Sequence, residues 1–199
     1  MNKAMSFLTR VFNGEDVVMV QRPKQAWEDQ FVKGKWDRLA SGQKNTEFLA
    51  KLVLEQHKNT TPLRVLDVGC GNGGLARLIA GEPGIKYVGI DISETAVVAA
   101  REIAPQGQFI VADAEHPSPN VGMFDALVFN EVFFYIDPTC TLPQYRTHAM
   151  ANAKIYISIL HSWRTPFLFH RLRRHLYLDA RLRVADQSFR WDIVVGHFI

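Results

Sequence analysis

Residues 64–80, RVLDVGCGNGGLARLIA, decide the fold. Arg64 to Asp67 reads as a short apolar strand, the glycines after it as a tight turn, and Gly74 to Ala80 as a helix. A strand that runs through glycines into a helix leaves bare backbone N–H groups and a helix N-terminus facing one point, where a polar ligand can sit. Asp67 stands inside the strand, two residues before Gly69, and adds the expectation that part of the ligand is positively charged. A carboxylate in a buried strand needs a partner.

Outward from this stretch the pattern alternates. Strands are expected at Tyr87 to Ile90, Phe109 to Ala112, Asp125 to Phe129 and Lys154 to Leu160, and helices at Thr95 to Ile103 and Leu142 to Asn152. Such alternation means a parallel sheet with helices on both faces, joined by right-handed crossovers. Thr165-Pro166 opens a helix expected to run to about Tyr177. Ala180 to Ala185 and Trp191 to Phe198 then read as a hairpin turning at Asp186-Gln187-Ser188. Before the sheet, Trp27 to Leu39 suggests a helix broken at Gly34, and Thr46 to His57 an amphipathic helix stopped by Thr60-Thr61-Pro62. The fold class is therefore α/β: a seven-stranded, mostly parallel, doubly wound sheet with an antiparallel C-terminal strand and an N-terminal helical lid. Residues 1–60 are expected to form that lid or extension and residues 61–199 the ligand-binding core, as one structural domain.

The 199-residue chain is 47% hydrophobic and 22% charged, ordinary for a soluble domain. Two cysteines, Cys70 and Cys140, make neither a disulfide framework nor a metal cluster, and no apolar run approaches a membrane span. The expectation is a cytoplasmic protein without a metal or membrane partner. The net charge of +3 is unevenly placed: between Glu82 and Asp137 acids outnumber Lys and Arg nine to two, whereas His161 to Arg190 holds seven arginines against Asp179 and Asp186. That basic tail reads either as a solvated face or as a site for an anionic substrate.

Gly69, Gly71 and Gly74 match the GxGxxG spacing of dinucleotide sites, a pattern that is weak evidence alone. Other strand ends add to it. Asp91 ends the second strand, twenty residues beyond Gly71, where a carboxylate can accept from two ribose hydroxyls. Asp113 and Ala114 end the third strand and Asn130 the fourth. Four polar strand ends along one sheet edge outline a ligand rim.

LDVGCGNGG, YVGIDIS, VADAE and FDALVFNEVFFY together resemble the four motifs of the class I S-adenosylmethionine-dependent methyltransferases, over roughly Thr61 to Ile199. The resemblance implies S-adenosylmethionine as cofactor. It implies that Asp67 and the Gly69-Cys70-Gly71 backbone hold the methionine moiety, that Asp91 takes the ribose, that Ile92 packs on adenine, and that Asp113 with Ala114 binds its edge. Trp27 to Trp36 is similar to the W-x-x-x-aromatic-x-x-G stretch of thiopurine-type, small-molecule methyltransferases, which implies that its aromatics, Trp36 among them, cover the cofactor near its sulfonium. Packing of Trp27, Phe31 and Trp36 on the sheet is the plainer reading of the same residues.

An alcohol or ammonium acceptor needs a base, and the candidates beyond the fourth and fifth strands are His161, Glu131 and Tyr135, with His161 preferred for its near-neutral pKa. No Asn-Pro-Pro-Tyr-like tetrapeptide follows the fourth strand, and the basic tail is modest, which argues against nucleic acid as acceptor. The function expected is methyl transfer to an oxygen or nitrogen of a small molecule, for which an anionic one would suit the arginines. A nucleic-acid methyltransferase, a non-catalytic S-adenosylmethionine-binding subunit and a dinucleotide-dependent oxidoreductase are the alternatives.

Overall fold

In a computed structural model the structure is described for residues 23–37, 43–117 and 121–199. Its helices are α1 (Lys24–Val32), α2 (Lys44–His57), α3 (Ala76–Ile79), α4 (Glu94–Ile103), α5 (Pro138–Arg146) and α6 (Thr165–Leu172). Its strands are β1 (Leu63–Val68), β2 (Ile85–Asp91), β3 (Gln108–Val111), β4 (Phe124–Asn130), β5 (Ala149–Leu160), β6 (Leu176–Ala185) and β7 (Arg190–Phe198). They form one seven-stranded sheet in the order β3-β2-β1-β4-β5-β7-β6. Strands β1 to β5 pair in parallel, and β7 runs antiparallel to both β5 and β6.

Side-chain alternation divides the core in two. Leu66 and Val68 join Leu127, Phe129, Ile155 and Ile157 beneath α5 and α6. Leu63 and Val65 join Ala126 and Val128 on the opposite face, with Leu49 and Val53 of α2, Ile79 of α3 and Val97 and Ala100 of α4. Both faces are dry, so β1 and β4 carry almost unbroken apolar runs. By the same alternation Asp67 takes a place on the second face, where an apolar residue would complete the core. Of the first 60 residues, α2 thus belongs to the core, whereas α1 lies over the sheet edge; residues 1–22 and the Leu39 end of the expected first helix lie outside the described residues.

Several element boundaries differ from those expected. The helix expected at Leu142 to Asn152 starts at Pro138, because the Asp137 carboxylate caps it through the Thr139 N–H (2.8 Å) and Pro138 takes the first helical position. It ends at Arg146, and Ala149 to Ala153, good helix formers, extend instead as the start of β5, with Ala149 paired to Phe124. The helix from Thr165 stops at Leu172, since Leu176 and Tyr177 pair with Phe198 and His197 across β7. The helix expected over Gly74 to Ala80 keeps only Ala76–Ile79, the preceding residues being turns.

The sheet order reverses between β1 and β4, where the crossovers leave in opposite directions. Their C-terminal ends therefore stand apart and open a crevice.

Candidate active site

The crevice holds a cavity of about 550 Å³, within the range of about 300–1,000 Å³ usual for small-ligand sites. Its floor is the loop after β1. Gly69, Gly71 and Gly73 have φ of 72°, 53° and 85°, a left-handed conformation that side chains resist. The loop's third left-handed glycine is thus Gly73, not the Gly74 of the GxGxxG reading. A Cβ on Gly73 would lie 3.0 Å from the Ala100 backbone of α4, and one on Gly69 only 2.6 Å from Val132 after β4. The glycines let the loop sit against both neighbours.

Asp91 locks this loop. Its Oδ2 accepts from the Gly71 N–H and its Oδ1 from the Ser93 N–H, both at 2.9 Å. Burial raises its pKa against these hydrogen bonds. An ionised carboxylate has about four acceptor positions, so the two backbone bonds leave capacity on the cavity side. Asp67 is 2% exposed and accepts a short hydrogen bond from the Tyr87 hydroxyl. Burial pushes its pKa up to about 7, with the Tyr87 bond opposing and the Asp91 charge adding. Among the described residues its Oδ1 has no hydrogen-bond partner; nor do Asn72 Oδ1 and Trp36 Nε1, and all three residues line the cavity. One end of the cavity thus presents two orphaned acceptors and one orphaned donor, each buried.

Ile92, Asp113, Ala114 and Cys70 also line the cavity. Asp113 Oδ1 accepts from the Glu115 N–H (2.9 Å), fixing the turn after β3, and the Ala114 carbonyl accepts from the Tyr145 hydroxyl (2.9 Å). Burial raises the Cys70 thiol well above its ordinary pKa, which leaves it inert as a nucleophile near neutrality.

The other end is aromatic. Trp27 of α1 meets Tyr135 edge-to-face, with ring centroids 4.6 Å apart, and Trp36 at 6.0 Å. From the far side Trp191 of β7 and Phe189 enter, 5.8 Å apart. Helix α1 is moored by Glu28, whose carboxylate accepts from Ser93 Oγ (2.7 Å), from the Thr95 N–H (3.2 Å) and from the Thr95 hydroxyl, at the start of α4. Those bonds, Thr95's hydroxyl first, hold the Glu28 pKa low.

Glu131 stands at this end with φ 62° and ψ 12°, left-handed without being glycine. Among the described residues no other non-glycine shares that conformation, which costs about 1–2 kcal/mol. The backbone is held by the Glu131 N–H donating to the Ser158 carbonyl (3.0 Å). Ser158 Oγ donates to Glu131 Oε1 (3.3 Å) and accepts from Asn45 Nδ2 (3.0 Å); Asn45 also donates to Asn130 Oδ1 (3.0 Å), and Asn130 donates to Thr46 Oγ1 (2.9 Å). Burial pushes the Glu131 pKa up to about 7, against the Ser158 bond.

The structure therefore brings Glu131 and Tyr135 into one cavity with Asp67, Gly69, Cys70, Gly71, Asp91, Ile92, Asp113, Ala114, Asn130 and Trp36. It does not bring His161 there. Leu160 turns into the cavity, so the next side chain points away, and His161 Nδ1 lies 2.7 Å from Asp192 Oδ2 in a cluster with Arg181 and Arg183. Sequence reasoning missed Glu28, Asn45, Thr46, Phe189 and Trp191. The one available signal was Asn45-Thr46 on the otherwise apolar buried face of α2.

Residues 65–149 match the family described as a methyltransferase domain. A trans-aconitate 2-methyltransferase of Rhodopseudomonas palustris is 35% identical over 88 residues, 44% of this chain and 34% of the relative; this chain thus matches about a third of that relative's length. Among solved structures, a TehB-like S-adenosylmethionine-dependent methyltransferase from Corynebacterium glutamicum is similar with TM-score 0.69 and 18% identity, covering 88% of this chain and 100% of the other. Magnesium protoporphyrin IX methyltransferase from Synechocystis, solved with S-adenosylmethionine bound, gives TM-score 0.69 and 20% identity over 87% of this chain and 95% of its own. These structures share the fold.

Proposed function

We propose that this chain is a class I S-adenosylmethionine-dependent methyltransferase, a reading supported by its methyltransferase-domain match and by the fold it shares with such enzymes, and that it transfers the methyl group of S-adenosylmethionine to a nitrogen or oxygen of a small-molecule acceptor. The observation that carries the reading is the set of orphaned atoms beside the glycine loop. An α-amino acid end offers an ammonium to Asp67 Oδ1 and Asn72 Oδ1 and a carboxylate to Trp36 Nε1, which gives each buried group its missing partner. A nicotinamide dinucleotide has no such end. Asp91 would take the ribose hydroxyls and Ile92, Asp113 and Ala114 the adenine, while the Gly69–Gly71 backbone lies under the methionine chain.

The donor supplies an electrophilic methyl group, and its sulfonium leaves as a neutral thioether. The protein's own part is alignment, exclusion of water and handling of the acceptor's proton. Glu131 is the group we assign to that proton. Its carboxyl, near 7, is poised to accept at neutral pH, and Ser158 with Asn45 and Asn130 holds it in place. Tyr135 forms wall with Trp27. Among the described residues that line the cavity, the acids Asp67, Asp91, Asp113, Glu115 and Glu131 face Lys24 alone as a cation, which opposes a nucleic-acid backbone as acceptor.

Among the described residues no helix is long and apolar enough to cross a membrane. With Cys70 and Cys140 both free, we place the protein in the cytoplasm. The test of function is retention of S-adenosylhomocysteine by calorimetry, followed by a labelled-methyl screen over small-molecule pools. Failure to retain S-adenosylhomocysteine or S-adenosylmethionine overturns the reading.

A further inference from the structure

Building on the reading of this cavity as a methyl-transfer site, we propose that its acceptor is an amine on an aromatic or apolar body, seated with its nitrogen at Glu131 between the Trp27–Tyr135 pair and Trp191, and that carboxylic acids are excluded.

Charge points first. None of the seven arginines between His161 and Arg190 lines the cavity. Arg181 and Arg183 are turned to Asp192, and Arg171 lies 3.2 Å from Asp137. The anionic acceptor that the basic tail suggested would meet Lys24 on exposed α1 and, deeper in, the carboxylate of Glu131. Like charges at such depth disfavour one another strongly.

The walls point the same way. A cation gains from aromatic faces, and most where water is excluded. Here two indoles and a phenol, from α1, the segment after β4 and β7, line the same cavity as the Glu131 carboxylate. An ammonium brings up to three donors, and a carboxylate offers about four acceptor positions; Ser158 Oγ takes one on Glu131, and Trp191 and the Leu160 backbone also stabilise its charged form. Neutral hydroxyl acceptors would forgo both the charge pairing and the aromatic contacts. On seating, an N–H proton passes to Glu131, so the nitrogen regains its lone pair as the carboxylate becomes a neutral carboxyl. Protons and charge balance within the cavity, and the burial that raises Glu131's pKa favours that neutral product.

The experiment titrates tryptamine, its acid counterpart indole-3-acetate, and trans-aconitate into the protein at pH 8, with and without saturating S-adenosylhomocysteine. That pH lies above Glu131's value of about 7 and below that of an alkylamine, about 10. Tryptamine should bind at least about tenfold tighter than either acid. Glu131→Gln should remove that margin while S-adenosylhomocysteine binds within about twofold of the parent, and Glu131→Asp should keep part of it. Equal or tighter binding of either acid overturns the proposal, as does absence of tryptamine binding. So does an equal loss of S-adenosylhomocysteine affinity in Glu131→Gln, which would place the carboxylate on the donor instead. The ranking in the unsubstituted protein stands even if a variant fails to fold. Loss of S-adenosylhomocysteine binding alone sinks the methyl-transfer reading, while the titrations without it still decide the amine.

Discussion

The donor end and the acceptor end of the cavity are built by different means. At the donor end the backbone does the recognition: three left-handed glycines, two N–H groups fixed by Asp91, and carboxylates at the ends of consecutive parallel strands. At the acceptor end side chains do it, and they come from segments far apart: Trp27 from α1, Tyr135 after β4, Trp191 from β7. Backbone recognition tolerates little change, because each position depends on torsion and spacing. Side-chain recognition can be re-specified by exchanging rings on the same scaffold. One end suits a fixed cofactor and the other a variable acceptor.

Substitutions that act on one end alone test the division. The largest effect is expected from Glu131→Gln, which should lower kcat by about 10²–10⁴ and leave S-adenosylhomocysteine affinity near the parent's. Steady-state rates beside calorimetry read the two separately, and a parallel loss of both would merge the ends. In the parent, the rate should fall as pH drops through about 7, where Glu131 takes up its proton. Next, Asp91→Ala removes the anchor of Gly71 and Ser93 and, with it, the proposed ribose acceptor. Donor affinity should drop about a hundredfold, the worth of two charge-assisted hydrogen bonds; retention within threefold would show that Asp91 serves the loop only.

Gly69→Ala against Gly71→Ala sharpens the donor end further. Both pay the left-handed cost of about 1–2 kcal/mol, but at Gly69 the new methyl meets Val132 at 2.6 Å, whereas at Gly71 its nearest neighbour is Phe31 at 3.8 Å. Chemical denaturation should show Gly69→Ala the less stable by about 1–3 kcal/mol, the usual cost of overpacking. The smallest effect belongs to His161→Asn. Its imidazole is 40% exposed and bound to Asp192, which keeps Arg181 and Arg183. Stability should change by no more than about 1 kcal/mol, with methyl transfer unaffected; a large rate loss would return His161 to the chemistry.

The raised carboxyls also set a stability trend. Asp67 and Glu131 hold protons up to about 7 when folded and release them near 4 when unfolded. Between those values the folded state binds more protons, so the ligand-free protein should lose stability as pH climbs from about 4 to 7. Melting temperatures across that window should fall, and less steeply in Glu131→Gln. Asp125 and the buried Asp192, held low against burial by Arg64 and by His161 with Arg181, act below it and with the opposite sign.

The donor end was legible in the sequence because its chemistry sits at strand ends and within short spacings: Asp67 with Gly69 and Gly71, then Asp91, Asp113 and Asn130. The acceptor end was legible only in part: Glu131, Tyr135 and Trp27 stood out, whereas Asn45, Phe189 and Trp191 join them only through tertiary pairing. Asn45 reaches Ser158 across 113 positions, and Trp191 arrives through the antiparallel register of β7 on β5, opposite Leu160. His161 shows how narrow the margin is. It follows Leu160, and in a strand one position is the difference between facing the cavity and facing away. Its imidazole chemistry marked it as a candidate base; the pleat turned it toward Asp192. Glu131, an acid at an irregular turn, offered no periodic signal, and its left-handed backbone has no sequence mark.

Glu28 carries a last consequence. It belongs to the roof, on the helix that carries Trp27, yet its carboxylate caps α4 at Ser93 and Thr95, one turn of chain from Asp91. Raising the roof means parting those bonds, so the roof swings as a unit rather than fraying ring by ring. Whatever tightens the Asp91–Ser93 turn steadies the roof, and a steady roof in return slows departure of what lies beneath.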